Sequence, residues 1–248
     1  MKLKIENLSV GYFDKPVLKQ VNLTAESGDL VVMLGKNGAG KSTLIKSIAG
    51  IIPVQQGKVY INDSCLEEIS SKERARYTGV VLTDRIDVDM KVYEFISLGR
   101  QAFTGYFDHL SAKDKQVIND YIGRLNMGHY VDKNIHQLSD GELQKVLIAR
   151  VLVQETPVVL LDEPTAHLDL ENKAMIFKLL QELSKKQNKI VIVSTHDINL
   201  VLPLVYNIWL VDKQHVLEIQ KNSHKIAHLF NSNLVSYDKN CQFFKIVF

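Results

Sequence analysis

One run of nine residues has the types and spacing of a phosphate-binding loop. It reads Gly35, Lys36, Asn37, Gly38, Ala39, Gly40, Lys41, Ser42 and Thr43. The run fits the pattern G-x-x-x-x-G-K-[ST] without a gap. Glycines let the backbone turn tightly, so that several N–H groups converge on phosphate oxygens. Lys41 can reach the outer phosphates, and the Ser42 hydroxyl can coordinate Mg²⁺, with Thr43 beside it. The loop therefore predicts a nucleotide site.

Two adjacent carboxylates follow a second apolar run. Asp162 and Glu163 come directly after residues 158–161. At the carboxyl end of a buried parallel strand, such side chains face the crevice in which ligands bind. We expect Asp162 to hold Mg²⁺ through its water shell and Glu163 to orient or deprotonate the attacking water. Asp-Glu-Pro could also end a strand in a solvated turn, but the phosphate-binding loop upstream favours the catalytic interpretation.

A histidine ends a third apolar run, residues 190–193, shortly after its last residue. If that run is a strand of the same sheet, His196 lies at the same edge and can contact the γ-phosphate. A lone histidine at a strand end is more often structural. The functional interpretation of His196 therefore depends on the loop and the two carboxylates.

The apolar pattern must supply the elements that position these residues. It predicts strands at residues 3–10, 21–25, 30–34, 59–61, 158–161, 190–193, 206–211 and 216–219. It predicts helices at residues 42–49, 92–98, 111–125, 143–153 and 174–183. This alternation indicates one α/β domain over residues 1–248 with a largely parallel sheet. A helical subdomain is expected at about 84–150. The tail 221–248 carries no motif. The end of the tail, 243–248, could be a packed strand or a partner contact, and we favour the strand.

Composition limits the classes of function. Of 248 residues, 46% are hydrophobic and 23% charged, as is typical of a globular protein, and the net charge of +2 requires no nucleic acid partner. Cys65 and Cys241 lie far apart and form neither a metal-ligand spacing nor a disulfide framework. The longest apolar stretch, 198–211, is interrupted by polar residues and is shorter than the ~20 residues of a spanning helix. Any membrane role would require docking to a protein that crosses the bilayer.

A further motif resembles one protein family. Leu138 to Glu142 reads LSDGE and is similar to the Leu-Ser-Gly-Gly-Gln/Glu signature of ABC ATPases. Thr165 to Asp169 is similar to that family's D-loop, and His196 stands where its switch histidine is expected. Tyr12 matches the aromatic residue that stacks on adenine. The resemblance covers nearly the whole chain in the family's motif order.

The resemblance implies a P-loop NTPase (RecA-like) core with a mostly parallel sheet, an antiparallel β subdomain and an inserted α-helical subdomain. It implies a head-to-tail homodimer that binds ATP and Mg²⁺ at composite sites. One protomer would supply Tyr12, the loop 35–43, Asp162, Glu163 and His196. The other would supply Ser139 and Gly141 at a helix N-terminus, where an anion is favoured. Glu142 and Asp169 complete the predicted nucleotide-binding set.

The implied partners are integral membrane permease subunits at the cytoplasmic face of the membrane and, indirectly, a substrate-binding protein outside it. Residues 92–100 and 103–105 are similar to the ATPases of importers for iron–siderophore complexes, haem or cobalamin. The family docks its permease near residues 84–108, where Tyr106 and Phe107 would suit a contact. The apolar positions of 92–98 are equally explained by the core face of an amphipathic helix.

Other classes remain to be weighed. Soluble ABC ATPases of the translation type usually carry two ATPase halves, and those of the repair type carry long coiled coils. This chain has one set of motifs and no sustained heptads. A module that binds ATP without turnover is disfavoured because Glu163 and His196 are both present.

Two positions depart from the family pattern. Asp140 replaces the first glycine of the signature, so its side chain must point away from the triphosphate. Thr83 stands where the family has a glutamine that touches Mg²⁺, and a threonine hydroxyl is too short to span the same gap. Our hypothesis is that Thr83, or the neighbouring Asp84, reaches the metal through a water molecule.

Thr83→Ala is therefore expected to lower Mg²⁺-dependent ATP hydrolysis and transport, because it removes the hydroxyl that would hold that water. The measurement is the hydrolysis rate of the purified variant across a Mg²⁺ titration. An unchanged rate, with unchanged transport, would dismiss the hypothesis but would leave ATP binding unaffected.

Overall fold

The computed structural model describes residues 1–82, 88–101, 109–166, 168–205, 207–220, 224–231, 235–238 and 243–246. Thr83, residues 102–108 and His167 lie outside these ranges, and so the expectations for Thr83, Tyr106 and Phe107 lie there too. The strands are β1 Lys2–Tyr12, β2 Lys15–Glu26, β3 Leu30–Gly35, β4 Gln56–Ile61, β5 Ser64–Cys65, β6 Thr78–Val81, β7 Val158–Asp162, β8 Ile190–Ser194, β9 Asn207–Asp212, β10 His215–Gln220, β11 Val235–Asp238 and β12 Phe243–Ile246. The helices are α1 Lys41–Ile48, α2 Ser71–Tyr77, α3 Val92–Ser97, α4 Ala112–Arg124, α5 Asp140–Leu152, α6 Leu170–Gln187, α7 Ile198–Val201 and α8 His224–Phe230.

A six-stranded sheet forms the centre of the fold, in the order β10-β9-β3-β8-β7-β6. The strands from β9 to β6 pair in parallel, and β10 pairs antiparallel with β9 at one edge. Every residue of β3, β7 and β8 is buried, because layers cover both faces of the sheet. This explains why their sequences are continuous apolar runs rather than alternating ones.

Alternate residues of the central sheet enter two separate cores. Val32 and Leu34 of β3 pack into a core formed largely by the helices α3 to α6. Val31 and Met33 of the same strand pack into a second core with α1, β1 and β2. The side-chain period of two along a strand therefore produces three layers: the helices, the central sheet, and α1 with the antiparallel sheet.

The antiparallel sheet has the order β2-β1-β4-β5. Strands β1 and β2 form a hairpin in which Tyr12 pairs with Lys15 across the turn. The turn includes Phe13, whose φ of 52° is left-handed. This hairpin brings Tyr12 and Val17 to the edge of the central sheet at which the phosphate-binding loop lies.

Helices α3, α4 and α5 come between β6 and β7, as the inserted helical subdomain predicts. Ser111 caps α4 and forms a reciprocal capping box with Asp114, which confirms the predicted start of that helix. Arg100 binds both the start of α4 and the residue after α5. Its Nε donates to Asp114 Oδ1 at 2.8 Å, and its guanidinium also donates to the carbonyl of Val153. This buried ion pair connects the ends of three helical segments.

The predicted fold class is confirmed, and most of the predicted elements are present. Helix α6 begins at Leu170, earlier than predicted, because the Asp169 side chain accepts a hydrogen bond from the N–H of Asn172. The favoured strand near the C-terminus is confirmed by β12, whose Phe244 is buried. Helix α2 was not predicted because it buries no residue and so has no apolar period. In the described part of the chain, no helix has the length and apolarity needed to cross a membrane.

The buried pair predicts a stability effect. Arg100 and Asp114 have side chains only 6% and 11% exposed, so Asp114→Ala would leave a buried guanidinium without its nearest carboxylate. The Glu155 carboxylate, 2.9 Å from the same guanidinium, remains as a partner, so we expect the free energy of unfolding to fall by about 2 kcal/mol, measured by urea denaturation. As a control, Glu182→Ala removes the half-exposed partner of Arg124 and should cost less than about 1 kcal/mol.

The same pair predicts a pH dependence. The Ser111 hydroxyl, followed by its amide and by Arg100, lowers the pKa of Asp114 from its usual 3.8. The contribution of this carboxylate to stability is therefore present above that usual value and is lost as the pH falls through the lowered pKa. The difference in stability between the wild-type chain and Asp114→Ala should shrink only below about pH 4. Equal stability of the two proteins at pH 7 would contradict both expectations.

Candidate nucleotide-binding site

A cavity of about 450 Å³ opens at the carboxyl ends of β3 and β7. Its lining combines the phosphate-binding loop, the tip of the β1–β2 hairpin and the two carboxylates after β7. The lining residues are Tyr12, Val17, Asn37, Gly38, Gly40, Lys41, Ser42, Thr43, Asp162 and Glu163. All of them except Val17 are among the residues predicted from the sequence. Ligands of parallel α/β sheets bind at this edge.

The loop takes its shape from two glycines with positive φ. Gly38 has φ 75° with open space around it, and Gly40 has φ 106° directly before α1. A Cβ at Gly40 would lie 2.8 Å from a methyl carbon of Val17. The loop therefore passes so close to β2 that a side chain at position 40 has no room. This turn directs the N–H groups of α1 toward the cavity, where an anion is favoured.

Lys41 bridges the loop from within. Its ammonium donates to the carbonyls of Gly35 at 2.9 Å and Lys36 at 3.1 Å. Burial lowers the pKa of Lys41, and the nearby carboxylates of Glu163 and Asp162 oppose that shift. Two carbonyls and two carboxylates thus keep the Lys41 ammonium charged in a partly buried place. Phosphate oxygens could replace these carbonyls as its acceptors.

Asp162 is held by a serine of the neighbouring strand. It is only 1% exposed, and the Ser194 hydroxyl donates to its Oδ1 at 2.6 Å. The same hydroxyl accepts a hydrogen bond from the backbone N–H of Glu163 at 2.9 Å. Ser194 therefore touches both residues of the carboxylate pair.

Glu163 and His196 face each other. The His196 Nδ1 lies 3.4 Å from Glu163 Oε2, and the two side chains are 56% and 27% exposed. Glu163 has φ 46°, which is left-handed and costs energy for a residue other than glycine. His196 does not line the 450 Å³ cavity, and within the chain by itself it meets the site at Glu163.

The segments after β7 and β8 are joined by a second set of contacts. Asp197 accepts hydrogen bonds from the Lys173 ammonium at 2.9 Å and from the Thr165 hydroxyl at 3.1 Å. Asp197 follows His196, and Thr165 belongs to the D-loop-like segment. These contacts fix the segment after Glu163 against the one that carries the histidine.

The predicted signature residues do not line the cavity of their own chain. Ser139 caps α5 and accepts a hydrogen bond from the N–H of Glu142 at 3.3 Å. The Glu142 carboxylate accepts in return from the Ser139 amide at 2.9 Å, and that bond is the main reason why its pKa is lowered. Asp140 is exposed beside them. Asp169, which caps α6, also lies outside the lining.

The sequence analysis did not identify Ser194, which directly follows the apolar run 190–193. The available signal was a small hydroxyl residue at the end of a buried strand. Its contact with Asp162 depends on the strand register, in which Asp162 lies opposite Ser194.

The sequence profile of the family described as ABC transporter matches residues 18–166. An uncharacterised ABC transporter ATP-binding protein of Methanocaldococcus jannaschii is 38% identical over 216 residues, which cover 87% of this chain and 74% of that protein.

The chain belongs to the ABC transporter family. The iron(3+)-hydroxamate import ATP-binding protein FhuC of Bacillus subtilis is 33% identical over 198 residues, covering 79% of this chain and 74% of that protein. An inward-facing ABC transporter described as of metal-chelate type matches with a TM-score of 0.79 and 29% identity, covering 99% of this chain and 96% of that one.

A dimeric ATP-binding cassette in a post-hydrolysis state with ADP and phosphate also matches. Its TM-score is 0.79 at 26% identity, and the match covers 88% of this chain and 98% of that one. This member of the ABC transporter family is therefore an ATPase that binds ATP.

The hairpin provides a sharp test of adenine binding. Tyr12 lines the cavity, whereas its neighbour Phe13 is 99% exposed and does not. We expect Tyr12→Ala to raise the Kd for ATP by about tenfold, since a base stacked on an aromatic ring loses its platform. Phe13→Ala should leave the Kd unchanged. The measurement is equilibrium binding of a fluorescent ATP analogue, and equal effects of the two variants would contradict adenine stacking on Tyr12.

Proposed function

We propose that this ABC-family ATPase powers an importer for iron–siderophore, haem or cobalamin-type chelates. The observation that carries its chemistry is one cavity that unites the phosphate-binding loop with the Asp162–Glu163 pair. The substrate class is supported by the similarity to an iron-hydroxamate import protein and to a transporter of metal-chelate type.

In this proposal the triphosphate binds along the loop 35–43. Backbone N–H groups and the N-terminus of α1 receive the β- and γ-phosphates, and Lys41 moves its ammonium from the Gly35 and Lys36 carbonyls to phosphate oxygens. Adenine stacks on Tyr12, which is 48% exposed at the rim of the cavity. The ring therefore has a face that a base can cover.

The residues present fit a Mg²⁺ ion. Ser42 and Asp162 line the same cavity, and both offer oxygen ligands of the kind that Mg²⁺ prefers. Asp162 uses Oδ1 to accept from Ser194, and no described residue donates to its Oδ2. Among the described residues, no group of three or more acidic, histidine or cysteine side chains is placed to hold a metal ion by itself, but Mg²⁺ bound with phosphates needs only one or two carboxylates. When bound, the ion neutralises charge on the phosphate oxygens. Thr83 stays a predicted outer ligand.

Glu163 acts as the general base. Its carboxylate takes a proton from a water molecule as the water oxygen attacks the γ-phosphorus, and the bond to the bridging oxygen of ADP breaks. His196, 3.4 Å from Glu163, fixes that carboxylate and contacts the γ-phosphate. Lys41 and the loop N–H groups stabilise the charge of the transition state.

The site is completed by a second copy of the chain. Ser139 and Gly141 do not line the cavity of their own protomer, and Ser139 is exposed at the start of α5. In a head-to-tail homodimer, this helix N-terminus faces the γ-phosphate of the partner site. Glu142 orients Ser139 through the capping box, and Asp169 lies near the same interface.

ATP would hold the dimer closed, and hydrolysis would release it. The difference in affinity of the closed dimer for ATP and ADP would drive permease subunits bound at the cytoplasmic face of the membrane. A substrate-binding protein outside the membrane would deliver the chelate. The competing class, a soluble ABC ATPase acting on ribosomes or DNA, has no supporting observation among the matched relatives described above.

Replacing the proposed base provides the test of the chemistry. Glu163→Gln keeps the size of the side chain but removes its basicity, so the rate of ATP hydrolysis should fall by ~10² or more. ATP affinity should stay close to that of the wild-type chain, because the loop is untouched. The measurement is phosphate release together with ATP binding. Unchanged turnover would overturn the role of Glu163.

The same variant tests transport. In cells that lack the native gene, the wild-type chain should restore uptake of radiolabelled ferric hydroxamate, whereas Glu163→Gln should not. Both proteins should co-purify from detergent-solubilised membranes with a many-helix permease. Restored uptake of haem or cobalamin instead would change the substrate within the class. Co-purification with ribosomes, together with no uptake, would overturn the transporter assignment.

A further inference from the structure

We propose that Ser194 is a positioning residue for ATP hydrolysis, and that its single hydroxyl fixes both Asp162 and Glu163. The inference rests on the proposed function, since it assigns a group that holds the proposed base and the proposed metal ligand. Ser194 does not line the cavity, so it acts through these two residues and does not touch the nucleotide.

The register of the sheet brings the three residues together. Strands β7 and β8 pair in parallel, with Asp162 opposite Ser194. The same serine pairs with Met33 of β3 on its other side. Ser194 therefore lies between the strand that leads into the phosphate-binding loop and the strand that leads into the carboxylate pair.

The hydrogen bonds of Ser194 have a defined direction. A hydroxyl has one proton to donate and two lone pairs to accept with. An ionised carboxylate can only accept, so the Ser194 proton must point to Asp162 Oδ1, at 2.6 Å. A lone pair is then left for the Glu163 N–H, at 2.9 Å. Alanine or valine could make neither bond.

Burial makes these bonds consequential. Ser194 is 0% exposed, so water cannot replace the hydroxyl if it is removed. The Glu163 N–H, which is in a part-buried position, would lose its partner, and a donor left there without an acceptor is costly. Asp162, itself 1% exposed, would lose the group that orients its carboxylate.

Backbone strain at Glu163 shows what the serine holds in place. The φ of 46° is left-handed, a conformation that persists in a residue with a side chain only when its surroundings impose it. The hydrogen bond from the Glu163 N–H to Ser194 is one such constraint. Without it, the backbone can relax toward negative φ, which swings the carboxylate away from His196 and from the cavity.

The test compares threonine and valine at position 194. The two side chains have nearly the same size, and only threonine keeps the hydroxyl, so any strain from added bulk is common to both. We expect the kcat of Ser194→Val to be roughly tenfold lower than the kcat of Ser194→Thr, because only the valine variant loses the hydrogen bonds of the hydroxyl. The Kd for ATP measured in EDTA should be the same for both, because the phosphate-binding loop is unchanged.

Ser184 provides a matched control. It is also 0% exposed, but its hydroxyl donates to the Gln181 carbonyl within α6. Ser184→Ala should shift the urea midpoint and leave kcat unchanged, whereas Ser194→Ala should lower kcat at an unchanged Kd. Equal kcat values for Ser194→Thr and Ser194→Val would overturn the inference, as would an equal loss of kcat in both alanine variants.

The Glu163→Gln variant distinguishes a failure of the proposed function from a failure of the role proposed for Ser194. If Glu163→Gln retains the wild-type turnover, Glu163 is not the base, whatever the serine variants do. If Glu163→Gln loses turnover while Ser194→Val matches Ser194→Thr, only the role of Ser194 is overturned.

Discussion

The parallel pairing of β3, β8 and β7 is the constraint on which the site depends. In a parallel sheet, strands that are in register end at the same edge. One rung joins Met33, Ser194 and Asp162, and just beyond it lie the phosphate-binding loop, His196 and Glu163. Backbone hydrogen bonds between the strands thereby align chain segments that lie far apart in sequence. Every residue of these strands is buried, so a shift of one residue would move each side chain into the opposite core, where it would not fit the close packing.

The carboxylates and the ammonium that line the cavity set the charge that an anionic ligand meets. Two carboxylates and one buried ammonium face the cavity, which leaves a local excess of negative charge where a triphosphate must bind. The Lys41 ammonium offsets part of this negative charge. Burial lowers the pKa of Lys41, and the two carboxylates oppose that shift. In the proposed function, a divalent cation brought in with the nucleotide would remove the remaining repulsion. A site built in this way should discriminate against the nucleotide without metal, because the carboxylates then face the phosphates unshielded.

The residue types revealed most of the site, and the residue pattern revealed most of the elements. The phosphate-binding loop and Asp162 could be found from sequence because each motif follows an apolar run that forms a buried strand. Ser194 could not, since its contact with Asp162 depends on the pairing of strands that lie far apart in the chain. The left-handed backbone at Glu163 has no local signal either, because the sequence has no glycine there. Helix α2 contains no buried residue, so apolar periodicity could not predict it.

The proposed composite site would explain why the signature need not touch its own loop. Within one chain, the Ser139 hydroxyl and the Glu142 carboxylate satisfy each other in a capping box, so the N-terminus of α5 is preformed without a ligand. The contacts of Asp197 with Thr165 and Lys173 likewise fix the segments next to Glu163 and His196. Both halves of the proposed interface are thus ordered before they meet, and closure would cost little conformational entropy. In the proposed transporter, the free energy of ATP binding would then be available to bring the two chains together, the step that would be coupled to the permease.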